Sequence, residues 1–188
     1  MLNKFKDKYK IESSRLKGYD YSQNGVYFIT ICLKDRKHSF GKIVNEKMIL
    51  GEIGKITQKF WQEIPNHFPF VTLDEYQIMP DHLHGIIEIS CNQINTVETQ
   101  HCCVSKSNTF YQIKSGSLPV IIRSFKSIVT KTVNINFSNL KFNWQSGFYD
   151  RIIRNEIELN KIREYIQNNP KMWRENEENI IENIFKPE

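Results

Sequence analysis

Hydrophobic side chains recur along the chain at two spacings, one suited to strands and one to helices. Val26–Lys34 (VYFITICLK) is dense in β-branched and aromatic residues, the composition of a buried strand. Lys42–Ile49 predicts a short hairpin around Asn45-Glu46. Between Leu50 and Ile64, Ile53, Ile56, Phe60 and Ile64 fall at helical spacing, which predicts an amphipathic helix ended by Pro65. Val71–Met79 alternates as a strand, Pro80-Asp81 turns, and His82–Ser90 runs as the next strand, so the two predict a tight hairpin. Leu118–Val133 places Ile121, Ile122, Phe125, Ile128 and Val129 on one helical face. Phe142–Ile153 reads as extended. Glu156–Asn169 carries Leu159, Ile162 and Ile166 at helical spacing and is expected to stop before Pro170. The order β–α–β–β–α–β–α predicts an α+β fold, an antiparallel sheet with helices on one face.

Three segments lack a period. Residues 1–25 are polar and lysine-rich and read as a basic arm leading into a domain at 26–170. Cys91–Ser117 is rich in Asn, Ser, Thr and Gln and reads as a polar loop or insert. Residues 171–188 form an acidic tail, with one further helical turn expected around Ile180–Ile184.

Composition narrows the class. With 188 residues, 39% hydrophobic and 25% charged, the chain can bury a core as one soluble domain without disulfides. The absence of Ala beside 26 Ile reads as the bias of an AT-rich genome. The longest apolar run, Val26–Leu33, is far shorter than the ~20 residues of a membrane span. The opening MLNKFKDK has no apolar stretch of the secretory kind. Cys32, Cys91, Cys102 and Cys103 form no paired framework, so a reducing cytoplasm is the simplest setting. His101-Cys102-Cys103 lacks partner cysteines at zinc spacing.

Charge is uneven. The net value is +5 and the pI about 8.9, which permits a polyanionic partner. Residues 51–90 hold 2 basic and 6 acidic side chains, whereas 1–50 hold 11 and 5 and 91–150 hold 6 and 2.

The strongest chemical signal is Met79-Pro80-Asp81-His82-Leu83-His84-Gly85. On a strand, His82 and His84 project side by side while Leu83 turns to the opposite face. Two imidazoles so placed can chelate one divalent metal. The same spacing also fits two polar residues on a solvated strand face. A second signal is Arg163-Glu164-Tyr165-Ile166-Gln167-Asn168-Asn169-Pro170, where Tyr165 and Asn169 stack four residues apart on one helical face. Beside a metal, a tyrosine can act as covalent nucleophile and an asparagine carbonyl can ligate. Read alone, Tyr165 suits an amphipathic position at the core edge better than a catalytic one.

MPDHLHGII, followed about eighty residues later by REYIQNNP, resembles the single-tyrosine HUH transposases, and more narrowly the REP-associated tyrosine transposases. The similarity extends through LKGYDYSQNGVYFITICLKDRKHSFGKI, IIRSFKSIVTK and WQSGFYDRIIRNE, in the expected order over most of the chain. It implies a ferredoxin-like α+β fold with a C-terminal tyrosine-bearing helix. It implies Mg²⁺ or Mn²⁺ held by His82 and His84, and Tyr165 as nucleophile. Asn169 falls where the wider family usually has glutamine as third ligand, and is one methylene shorter. Asp81 stands where relatives often carry asparagine. The implied activity is cleavage and rejoining of single-stranded, hairpin-forming DNA through a 5′-phosphotyrosine. A homodimer in a bacterial cytoplasm, at the nucleoid, is the implied setting.

Arg123, Lys126, Lys131, Arg151 and Arg154 are then candidates for phosphate contacts, and Trp144 and Tyr149 for base stacking. Phe148 suits stacking or core packing. The competing readings are a hairpin DNA- or RNA-binding protein without catalysis, and a metal-dependent hydrolase that uses water.

Overall fold

The computed structural model describes residues 4–5, 8–9, 16, 18–90 and 116–173. About half of the expected arm, nearly all of the polar insert and all but the first residues of the acidic tail, with its extra helical turn, lie outside the described residues. The elements run β1 (Lys4–Phe5), β2 (Lys8–Tyr9), β3 (Gly25–Cys32), β4 (Gly41–Val44), β5 (Lys47–Leu50), α1 (Glu52–Gln62), α2 (Ile64–His67), β6 (Val71–Ile78), β7 (His82–Ile89), α3 (Leu118–Asn136), β8 (Tyr149–Ile153) and α4 (Glu156–Met172).

Four strands form one antiparallel sheet in the order β6-β7-β3-β8. With α1 between β3 and β6, and α3 between β7 and β8, this is the ferredoxin-like arrangement. The β4–β5 hairpin forms where expected, and its two turn residues, Asn45 and Glu46, take the positive φ values of 49° and 60° that a tight two-residue hairpin demands.

Alternation along the strands sorts side chains onto two faces. Tyr27, Ile29 and Ile31 of β3 and Leu83, Ile87 and Ile89 of β7 are buried with Ile53 and Trp61 of α1 and Ile121, Ile122, Phe125, Val129 and Val133 of α3. This is the expected helical layer. Phe28, Ile86 and Ile153 point the other way and bury Ile166 of α4, with Leu159, Ile162 and Tyr165 beside them. The tyrosine-bearing helix therefore covers the second face, so the sheet lies between two helical layers.

Several boundaries differ from expectation for local reasons. Pro65 does not end α1, which closes at Gln62. It sits in the first turn of α2, where its missing N–H removes no helical hydrogen bond. α3 continues to Asn136. Within Phe142–Ile153 only Tyr149–Ile153 is a ladder strand, while Trp144 makes an isolated bridge to Leu33. α4 runs through Pro170 to Met172. Proline there forfeits one hydrogen bond near the helix end, and the burial of Asn169 and Pro170 holds that last turn in place.

Gly85, next to His84 in the ladder, lets the indole of Trp61 lie on the sheet: an added Cβ would stand 2.4 Å from Trp61 Cζ2. Trp61 is fully buried and cannot swing away. Gly85→Ala is expected to destabilise the fold by about 1–3 kcal/mol through overpacking, read as a lowered urea midpoint with an unchanged slope.

Candidate active site

The site lies on the α4 face, where β7 begins and β3 ends. Pairing of β3 with β7 sets Cys32 opposite His82 and Thr30 opposite His84. His82 and His84 point to the same side and are nearly sealed, at 4% and 2% exposure. Their Nε2 atoms stand 3.0 Å apart.

Each imidazole is fixed from behind. His82 Nδ1 donates to Asp81 Oδ1 at 2.5 Å, which leaves the Nε2 lone pair facing the site. Asp81 is itself buried, and Arg36 Nε donates to its second oxygen at 2.8 Å. Burial raises the Asp81 carboxyl, but the bond to His82 and the charge of Arg36 prevail and hold it below the usual range. His84 Nδ1 meets Thr30 Oγ1 at 2.8 Å. A hydroxyl can give or take that hydrogen bond, so Thr30 serves either tautomer of His84. Burial pushes the pKa of His82 down, against the pull of Asp81, and pushes that of His84 well down. Both imidazoles are thereby favoured in the neutral form that ligates metals.

Tyr165 is in the same pocket of the same chain. Its hydroxyl is 3.4 Å from His84 Nε2, and its ring packs edge-on to His84 and Phe28. Burial raises the phenol's pKa, and a hydrogen bond from Asn169 opposes the rise. Asn169, one turn on along the same helix face, is buried as well. Trp173 packs against His82 and His38 at ring distances of 5.9 and 5.6 Å.

The position of Tyr165 depends on how α4 is clamped. A β-bulge between Leu73 and Tyr76 turns two consecutive acids of β6 toward the helix. Asp74 takes a bidentate contact from Arg163, at 2.5 and 3.0 Å, and Glu75 accepts from Gln167 at 2.9 Å. The two clamped positions flank Tyr165. At the other end Asn155 caps the helix by accepting from Glu158 N at 2.9 Å.

The donor set is compatible with a metal ion. Two nitrogens at ~2.1 Å from one ion and at right angles would be ~3.0 Å apart, which is the separation of the two Nε2 atoms. Among the described residues, no group of three or more His, Cys, Asp or Glu is arranged as a metal site. The protein therefore offers two imidazoles, with Asn169 as a neutral neighbour.

The residues expected at DNA are scattered. Arg123 and Lys131 are exposed on α3. Lys126 is half-buried and donates to the carbonyls of Gln145 and Gly147, both at 2.8 Å, and burial lowers its pKa. Trp144 is half-buried against Phe40, Phe125 and Phe142, its Nε1 donating to Lys126 O. Phe148 packs on the main core. Tyr149 pairs with Thr30, Arg151 is tied to Glu158 at 2.7 Å, and Arg154 is exposed. Arg36 and Thr30, which support the two histidines, went unmarked in the sequence; only their pairing partners in three dimensions expose them. No helix among the described residues is long and apolar enough to cross a membrane.

A ferredoxin-like sheet carrying a His-x-His strand, with a tyrosine helix closing over it, is the class of domain this fold and site define. The chain belongs to one family with an uncharacterised protein of Haemophilus influenzae, to which it is 41% identical over 174 residues, or 88% of this chain and 91% of that one. It also resembles a second Haemophilus influenzae protein, named as a candidate REP-associated tyrosine transposase, at 24% identity over 80% of this chain and 73% of that one. Its fold is that of a REP-associated tyrosine transposase solved bound to a REP hairpin, with TM-score 0.56, 17% identity, and coverage of 85% of this chain and 73% of that one. No protein-family model matches the chain.

The clamp makes a testable contribution to stability. Arg163 beside Asp74 holds that carboxyl below its ordinary value. A depressed folded-state pKa adds stability that is present above the unfolded value near ~4 and lost as pH falls through the folded one. Asp74→Ala is expected to cost about 1 kcal/mol at pH 7 and much less in acid at the low end of that window, measured by urea unfolding at both pH values.

Proposed function

We propose that the protein cleaves and rejoins single-stranded, hairpin-forming DNA through a covalent link to Tyr165. The observation that carries this reading is that the Tyr165 hydroxyl and the facing imidazole nitrogens of His82 and His84 share one pocket within one chain. Tyr165 Oη attacks the scissile phosphorus, the bond to O3′ breaks, and the strand ends become a 5′-phosphotyrosine and a free 3′-hydroxyl. The phenolic proton leaves as the new bond forms, and O3′ takes up a proton. The energy of the phosphodiester is retained in the link, so a 3′-hydroxyl can reverse the step and join ends without ATP.

The chain's own residues divide the work. Arg163 and Gln167 fix the helix that presents Tyr165. Asn169 donates to the phenol oxygen and favours its deprotonated form against the effect of burial. Asp81 and Thr30 aim the imidazoles that would hold Mg²⁺ or Mn²⁺, with Asn169 as the third candidate ligand. When bound, such an ion polarises the phosphate and stabilises charge on its oxygens. Imidazole donors favour Mn²⁺ over Mg²⁺, which prefers oxygen ligands.

Incubation with labelled hairpin-tailed single-stranded DNA and Mn²⁺ is expected to give a covalent adduct that migrates with the protein and is absent in Tyr165→Phe. Cleavage that survives Tyr165→Phe would point to water as nucleophile and overturn the proposal; binding without any adduct would leave a binding protein.

The Asn169 hydrogen bond has a directional consequence. Removing it leaves burial unopposed and raises the phenol's pKa. In Asn169→Ala the pH midpoint of adduct formation, measured at saturating Mn²⁺, is expected to move to higher pH.

A further inference from the structure

Beside the site, where β3 runs into the 3-10 turn Lys34–Arg36, a groove opens between that turn and residues 141–146. It consists of two hollows of about 640 and 220 Å³ that share Leu33, Lys34 and Asn143. Lys34, Arg36, Lys37 and Lys141 line it, and none of the lining residues is acidic. We propose that this groove is the track that holds the phosphodiester backbone of the single strand next to the scissile phosphate. The inference rests on the reading of the substrate given above and assigns the surface that binds it.

Three observations support the assignment. The groove is joined to the site, since Arg36 pairs with Asp81 and Leu33 N donates to Asp81 O at 2.8 Å, one residue from His82. Its floor is built rather than incidental. Leu33 bridges Trp144, Lys34 N donates to Asn143 O, Gln145 N donates to Cys32 O, and the Lys126 ammonium fastens Gln145 and Gly147 from below. Lastly, the alternative is weaker. The 710 Å³ groove along β8 and α4 contains Arg151, Arg154 and Lys161 but also Asp150 and Glu158, whereas the basic groove has no acidic lining residue and keeps three lysines besides the Arg36 that pairs with Asp81. A single strand rather than a duplex fits, because the histidines it must reach are recessed and an unpaired backbone can approach them where a rigid double helix cannot.

The test is binding without metal, read by fluorescence anisotropy of a labelled oligothymidylate over a range of salt. The variant Lys34→Gln/Lys37→Gln/Lys141→Gln is compared with Lys42→Gln/Lys55→Gln/Lys59→Gln, which removes equal charge from exposed positions elsewhere. Losing three phosphate contacts is expected to reduce the slope of log K against log salt by ~2 and to weaken binding roughly tenfold or more at moderate salt. The control should stay close to wild type, and thermal melting should be unchanged in both. Equal effects of the two variants, or wild-type affinity and slope in the first, would overturn the track. So would an equal loss of affinity for blunt duplex DNA, since that marks a general polyanion patch. Failure of this proposal is separable from failure of the catalytic one. Adduct formation with groove-independent binding rejects only the track; groove-dependent binding with no adduct rejects only the chemistry.

Discussion

Everything at the site depends on the register of β3 against β7. Antiparallel pairing of Gly25 with Ile89 through Cys32 with His82 fixes which residues share a face. A slip of one residue would turn His82 and His84 toward the apolar layer of α1 and α3, and carry Leu83 to the α4 side. The register is locked because both faces are buried: Tyr27, Ile29 and Ile31 on one side, Phe28 and Ile86 on the other. Gly85 strengthens the lock, because only a residue without Cβ admits Trp61 at that point of the strand. The pairing that builds the core is thus also the device that aims two imidazoles at one point.

The second constraint is the seating of α4. A helix lying on a sheet can rotate or slide unless polar contacts index it, and apolar packing of Ile166 alone is non-directional. The bulge in β6 supplies the index. Consecutive strand residues ordinarily face opposite ways, yet Asp74 and Glu75 both reach the helix, one turn apart, at Arg163 and Gln167. Tyr165 lies between those anchors, and the turn that continues through Pro170 keeps the buried Asn169 on the same helix face.

Much of this was legible in the chain because periodicity reports burial. The strands β3, β6 and β7, the hairpin at Asn45-Glu46, the three longer helices, and the pairing of His82 with His84 on one face all follow from spacing. What did not follow depends on contacts between distant residues. Helical spacing identifies an apolar face on α4 but not which side of the sheet receives it. Lys126 reads as a surface cation on a helix, and only the fold shows the 145–147 carbonyls within its reach. Trp144 reads as a stacking platform, yet the neighbouring Phe40 and Phe125 draw it toward the core. Arg36 follows a strand as one more charged residue, and its role depends on a carboxylate 45 positions along the chain.

Asp81 shows how such a pair changes the meaning of a departure from pattern. A carboxylate buried next to an imidazole would be costly if left alone. It is not alone, because Arg36 answers one oxygen and His82 the other. Arg36 holds this contact from a backbone of φ 50°, a conformation uncommon for a residue with a side chain, which persists only where its surroundings impose it. Asp81 fixes the tautomer of His82 and works against the burial that lowers its pKa, and the fixed tautomer favours ligation. The acidic block of the sequence therefore places one balanced carboxylate behind the imidazoles, and the cation that balances it also lines the basic groove. A small overall charge of +5 is compatible with strong local fields of both signs, one suited to a cation and the other to a phosphate backbone.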